Sequence, residues 1–296
     1  MLRQHRIWPM MRSLRVRPQQ VRPFRAIALG RQVSAVTIAE EFSVKITSCS
    51  TLIDCRVNTT DDHPSVSVCN AVEAYFTLKE LDMALFTSNV KSSPGTDGIR
   101  YSALRYLGEA ARTFLLKAFN SSWETGIIPR EWKIARVLPI LKPGKLPLDI
   151  NSYRPIALTS CMSKVMERML LARMEWDLEN RGLYPSSMNG FRRGRSSIDN
   201  VTDLVTSIEQ TKTVNKITTA VFVDIKSAFD TVEHGAILHD LEVIGYGGRL
   251  YTWIASHLKE RQVYISTPEG NTGFHEIKRG VPQGGGSLAP CFLAFL

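Results

Sequence analysis

In the stretch FVDIKSAFD, residues 222–230, an apolar run ends on Asp224, and a second carboxylate, Asp230, follows six residues later. A charged group is rarely left in a covered strand unless it is paired, binds a metal or stands at the strand's open end. On these residues alone three roles are open to Asp224. It could cap a helix beginning near 226, whose positive N-terminus would welcome it, join a structural salt bridge, or serve as an oxygen ligand to a hard divalent cation. Cations cluster elsewhere: residues 130–154 hold six Lys or Arg against two acids, Glu131 and Asp149, and RRGR (192–195) adds three more. Such a stripe suits segments that face a phosphate backbone, with a plain solvated surface as the alternative. Cys49, Cys55, His63 and Cys69 lie close together, but their gaps match no zinc module.

These residues have to be held by elements that the apolar spacing predicts. TAVFVDI (219–225) lacks alternation and reads as a strand covered on both faces, with Asp224 at its end. Thr77 and Glu80 have the spacing of a capping box, followed by Leu81, Ala84 and Leu85 at helical intervals. KSSPGTDG (91–98) reads as a tight loop around Asp97. Leu104, Leu107, Ala111, Phe114, Leu115 and Ala118 mark one face of a helix ending before Gly126. ARVLPIL (135–141) reads as a short strand closed by the turn KPGK. Further helices follow from Val165, Met169, Ala172 and Trp176, and from Ile198, Val201, Leu204, Val205 and Ile208. Helices are also expected near 234–244 and 249–258, then a hairpin from RQVYIST (261–267) to FHEIKR (274–279). The fold class is α+β.

With 44% hydrophobic residues in 296, the chain can bury a sizeable core, and no apolar run reaches the roughly 20 residues of a membrane helix. The net charge of +9 is misleading as a global signal. Residues 1–39 carry eight arginines and no Lys, Asp or Glu, so the remainder is nearly neutral. This acid-free start is compatible with a mitochondrial transit segment, but its prolines and glutamines suit a disordered basic tail as well. Residues 1–71 are therefore expected to be disordered and 72–296 to form the folded unit. Five cysteines, odd in number and mostly far apart, argue for reduced thiols in an intracellular setting, nucleus or cytoplasm.

FVDIKSAFDTVEH resembles the first palm motif of reverse transcriptases, most closely those of LINE-type retrotransposons that lack long terminal repeats. SSPGTDGI (92–99), WKIARVLPILKPGK (132–145), NSYRPIALTSCMSKVMERML (151–170), NGFRRGRSSIDNV (189–201) and RGVPQGGGSLAP (279–290) resemble successive blocks of that family, in its order and over residues 76–296. The resemblance implies a right-hand polymerase with fingers and partial palm, an antiparallel palm sheet with packed helices, and RNA-templated DNA synthesis. Template RNA, primer DNA, deoxynucleoside triphosphates and Mg²⁺ are the implied partners, with no membrane. Asp224 lies where the family's first metal-binding aspartate lies, and the carbonyl of Ile225 would be the adjacent ligand. Phe229 matches the steric gate that crowds a ribonucleotide's 2′-hydroxyl, against a plain core role. Lys142 and Arg154 align with the family's triphosphate-contacting cations, and Gln283 and Gly284 with the motif that touches the incoming nucleotide.

The chain also departs from the family pattern. GGGSLAP stands where a block such as SVLSP is expected, and the extra glycines weaken a helix start by about 1 kcal/mol each. The Tyr/Phe-x-Asp-Asp hairpin that supplies the family's remaining catalytic carboxylates has no counterpart among the 296 residues, and the thumb has none either. The resulting expectation is a truncated copy, inactive by itself. A non-catalytic nucleic-acid-binding remnant is the second reading. An organellar intron maturase ranks third, because Ser227 and Ala228 stand where maturases carry a Gly-Cys pair.

Overall fold

The computed structural model describes residues 24–47, 70–224, 228–267 and 269–281. Among these residues, in chain order, two helices come first, α1 (Arg25–Arg31) and α2 (Ala35–Thr47). Then follow α3 (Asn70–Glu73), α4 (Leu78–Thr87), α5 (Tyr101–Arg105), α6 (Glu109–Thr125) and α7 (Arg130–Lys133). A strand pair, β1 (Ile134–Leu141) and β2 (Tyr153–Leu158), leads into α8 (Cys161–Asn180) and α9 (Ser197–Thr213). The rest comprises α10 (Ala228–Thr231), α11 (His234–Val243), α12 (Gly248–Leu258), β3 (Arg261–Thr267), β4 (Gly270–Asn271) and β5 (His275–Ile277).

The helical half forms because local signals and packing agree. At the start of α4, Thr77 Oγ1 accepts from Glu80 N while Glu80 Oε2 accepts from Thr77 N at 2.7 Å, so the capping box is present. Arg173 of α8 reaches the same carboxylate at 2.6 Å and lies over the Phe76 ring, tying α8 to α4. The helix expected over 104–126 is two: the chain breaks at Gly108 between α5 and α6, and Phe114 faces solvent while Phe119 and Trp123 are fully buried. One core runs through α4, α6, α8, α11 and α12.

The sheet is mixed, which corrects the antiparallel expectation. Its strand order is β2-β1-β3-β4, with β5 also pairing β3. β1 and β2 are antiparallel (Val137 opposite Ala157), β3 and β5 are antiparallel (Val263 opposite His275), but β1 and β3 run parallel (Ala135 beside Val263). The long helical excursion between them returns the chain to the same end of the sheet, as a parallel pairing requires. Side chains alternate across the sheet. Ala135, Val137, Tyr153, Ala157, Val263 and Ile265 form one buried face.

That face is covered by α1 and α2, so order begins well before residue 72. Phe24, Ile38, Ala39 and Phe42 are essentially inaccessible, and the Phe24 ring lies 5.2 Å from Phe42 and 4.9 Å from Tyr153. Burying each large side chain contributes about 1.5–3 kcal/mol, enough to hold two short helices on the sheet. Polar ties complete the attachment: Glu40 binds His275 at 2.6 Å, and Glu269 accepts from Ala35 N at 2.8 Å.

The expected strand over 219–225 is also corrected. Residues 219–224 have no strand partner among the described residues, and Val221, Phe222 and Val223 are 81–85% exposed. An apolar run becomes a strand only where a neighbour takes its N–H and C=O groups, and no described strand does so here. The helix expected from Ile198, Val201 and Val205 is present as α9, with its own capping box, but none of its residues is buried.

Candidate active site

Two of the motif blocks meet at the end of the first palm segment. α10 carries Phe229 and Asp230, and the chain then passes through Val232 to α11. Gly280 N donates to Val232 O at 2.6 Å and Val281 N to Phe229 O at 2.7 Å, so the beginning of GVPQG is laid against the segment after Asp224. Only glycine fits at 280: its φ is +80°, and a Cβ there would stand 2.7 Å from Phe229 O and 2.8 Å from Asp230 O. His234 Nε2 shares a hydrogen bond with Gly280 O at 2.8 Å, and burial lowers its pKa, which favours a neutral ring donating to that carbonyl. Phe229 is half-buried against the helical core and, with Asp230 and Val281, lines a cleft that Pro155, Val137 and Ile46 close from the sheet side.

Arg279 lines this cleft, whereas Lys142 and Arg154 do not. Lys142 ends the β1–β2 pair: its backbone N donates to Ser152 O at 2.7 Å and its Nζ to Asn151 O at 2.9 Å. Arg154 lies opposite Ile140 and is exposed on the other side of β2 from Pro155. Asp224 is an exposed carboxylate. Ile225, Gln283 and Gly284 lie outside the described residues.

A second pair of blocks is docked through the loop SSPGTDG. Gly95 packs so tightly on Thr159 and Ser160 that a Cβ would come within 2.6 Å of backbone atoms. Asp97 accepts from Ser160 Oγ at 2.6 Å and from Ile99 N at 3.0 Å, fixing the start of α8, where Ser160 also caps Met162 N.

Beneath the sheet edge lies a buried charged group that sequence reasoning missed. Arg261 and His257 are fully enclosed, with Arg261 Nη1 3.1 Å from both His257 Nε2 and His257 O. Glu167, which accepts from Ser163 Oγ at 2.8 Å, stands 3.8 Å from His257. Burial, then the Arg261 and Lys133 charges, hold His257 well below the ordinary histidine range. The four-residue step from His257 to Arg261 was the available signal.

The basic stripe divides in three dimensions. Lys133 is drawn to Glu260 at 3.8 Å, and Arg192 of RRGR is held by Glu179 at 2.6 and 2.7 Å and lies over Tyr184. Arg136 and Arg154 remain on the open sheet face.

A divalent cation needs several oxygen ligands converging at one point. Among the described residues no group of three or more His, Cys, Asp or Glu is arranged to hold a metal ion. Asp224 alone does not make such a site. Its chemistry suits one ligand position of a larger set.

Residues 140–295 match the family model for reverse transcriptase (RNA-dependent DNA polymerase). The chain is 30% identical over 231 residues, 74% of its length, to the RNA-directed DNA polymerase from mobile element jockey of Drosophila melanogaster. It is 30% identical over 207 residues to the probable RNA-directed DNA polymerase from transposon BS of the same fly, and over 195 residues to the Pol polyprotein of type-1 retrotransposable element R2 of Popillia japonica. These matches cover 70% and 65% of the chain. A chain with a mixed sheet, a helical core and these docked blocks therefore belongs to the reverse transcriptase family. The relatives come from LINE-type retrotransposable elements, as the motifs implied. The matched region spans about a quarter of the relatives' own length: 25%, 23% and 26%.

Proposed function

We propose that this chain is the fingers and part of the palm of an RNA-templated DNA polymerase, and that it binds a template–primer without extending it when alone. The observation that carries the reading is the docking of Gly280 and Val281 onto Phe229–Val232, which brings the first palm segment and the GVPQG block to one cleft. In that arrangement Phe229 is the gate against a ribose 2′-hydroxyl, and Gln283 with Gly284 meets the incoming nucleotide through closely approaching backbone. Lys142 and Arg154 supply cationic charge to a triphosphate, the arginine in bidentate fashion.

Nucleotidyl transfer joins a primer 3′-oxygen to the α-phosphorus and expels pyrophosphate. In this family Mg²⁺ supplies charge stabilisation to the attacking and leaving oxygens. Asp224 and the Ile225 carbonyl would offer two oxygen ligands. The 296 residues contain no Tyr/Phe-x-Asp-Asp to offer the others. The protein's own contribution is then to bind and orient.

RNA binding by the purified chain tests the reading. Affinity should fall linearly on a log–log plot against salt, and Arg154→Glu should weaken binding several-fold while leaving the melting temperature unchanged, because Arg154 is exposed. Salt-independent binding, or an Arg154→Glu variant that binds as the parent does, would contradict it.

A further inference from the structure

The peptide between Gly280 and Val281 is gripped from both sides. It is trans, so its oxygen and its N–H point in opposite directions. The N–H donates to Phe229 O at 2.7 Å, and the oxygen accepts from His234 Nε2 at 2.8 Å. A carbonyl cannot donate, so the ring nitrogen must carry the proton. Glycine at φ +80° leaves this peptide more freedom to turn than any other residue would, and turning it would break both bonds at once. His234 is therefore the side chain that sets which way the peptide faces. It opens α11 and is itself half-buried, whereas the other side-chain tie between the two segments, Arg279 to Glu233 at 3.5 Å, is largely in solvent and contributes little.

We infer that His234 is a positioning residue for the sugar gate: by holding the Gly280–Val281 peptide it fixes the backbone of Phe229, and discrimination between deoxyribonucleotides and ribonucleotides depends on it. The cleft beside Phe229 has a volume of about 40 Å³, room for little more than one water or one hydroxyl. At that size a small shift of the ring decides whether a 2′-hydroxyl is admitted. The inference rests on the polymerase reading, in which Phe229 is the gate, and it adds the residue that keeps the gate in place without touching the nucleotide.

Two measurements test it. In the 296-residue chain, amide hydrogen exchange at Val281 reports the bond to Phe229, and Leu241, buried in the same helix as His234, reports the stability of the surroundings. His234→Leu should speed exchange at Val281 relative to Leu241 by about fivefold, the loss of one hydrogen bond, whereas His234→Gln, which keeps an N–H, should stay near the parent. In the chain extended by a family-like Asp-Asp hairpin and thumb, the ratio of kcat/KM for dATP to that for ATP should fall by a similar factor in His234→Leu and recover in His234→Gln. A ratio of two substrates on one enzyme cancels the fraction folded, so a purely structural role would leave it unchanged. If His234→Leu does not fold, His234→Phe keeps a ring without the donor and takes its place. Unchanged Val281 exchange, an unchanged substrate ratio, or equal losses in the Leu and Gln variants would overturn the inference and leave the polymerase reading standing. An extended parent chain that makes no DNA would overturn both.

Discussion

Gly280 and His257 show what single residues contribute. At Gly280 the chain must take a left-handed φ and also admit two carbonyl oxygens within contact distance of where a Cβ would be. Gly280→Ala should therefore lose more than the roughly 1–3 kcal/mol of an ordinary strained position, measured by urea denaturation. It should also weaken any activity that depends on the cleft. His257 is buried against Arg261, and its pKa is depressed. The unfolded chain takes up a proton near the ordinary histidine value of about 6.5, whereas the folded chain resists it, so this group's stability is full above that pH. As pH falls below about 6.5 stability should drop, by up to about 1.4 kcal/mol per pH unit, until the folded-state pKa is reached. His257→Gln should flatten that dependence even if it lowers stability throughout. A parent and a variant with the same acid slope would show that His257 is not the group responsible.

At the level of elements, the pieces with local signals were legible and the pieces that depend on partners were not. Thr77–Glu80 announced its helix because a capping box acts within four residues, and the spacing of Ile198, Val201 and Val205 announced α9. β2 was not read as a strand, and the sheet accommodates its Pro155 because β2 is an edge strand. Its neighbour Pro139 lies past Val137, the last residue of β1 paired with β3, so it owes no hydrogen bond on that side. The run through Val223 failed in the opposite sense, because apolar residues specify a covered strand only when something covers them. The helices α1 and α2 were hidden by charge accounting that treated residues 1–39 as one unit. Ala35, Ile38, Ala39, Phe42 and Ile46 nonetheless carry a helical stripe, and it seals the sheet. Phe42→Ala should cost about 3–5 kcal/mol by denaturant titration, against a few tenths for Val44→Ala, whose side chain is half exposed. Equal effects at the two positions would mean that the helix pair does not share the core of the sheet.

The whole molecule combines a well-packed scaffold with an open chemical end. The helical core and the sheet fix the cleft where Phe229 meets Gly280, and Asp224 is exposed. In phosphoryl transfer the protein's part is positioning and charge stabilisation, and loss of metal-binding carboxylates removes orders of magnitude in rate. The candidate site was legible in the sequence as a set of blocks, because each block carries its own turn residues and cations. Their mutual placement was not, because it depends on contacts such as Gly95 on Thr159 and Gly280 on Phe229. The central claim is that Asp224 belongs to a polymerase centre whose other carboxylates are not among these residues. Mg²⁺-dependent incorporation of deoxynucleotides on a primed RNA template tests it most directly. The 296-residue chain should give none, the same chain joined to a family-like Asp-Asp hairpin and thumb should give synthesis, and Asp224→Ala in that longer chain should abolish it. Incorporation by the 296-residue chain itself, or undiminished synthesis by the longer chain carrying Asp224→Ala, would contradict the account.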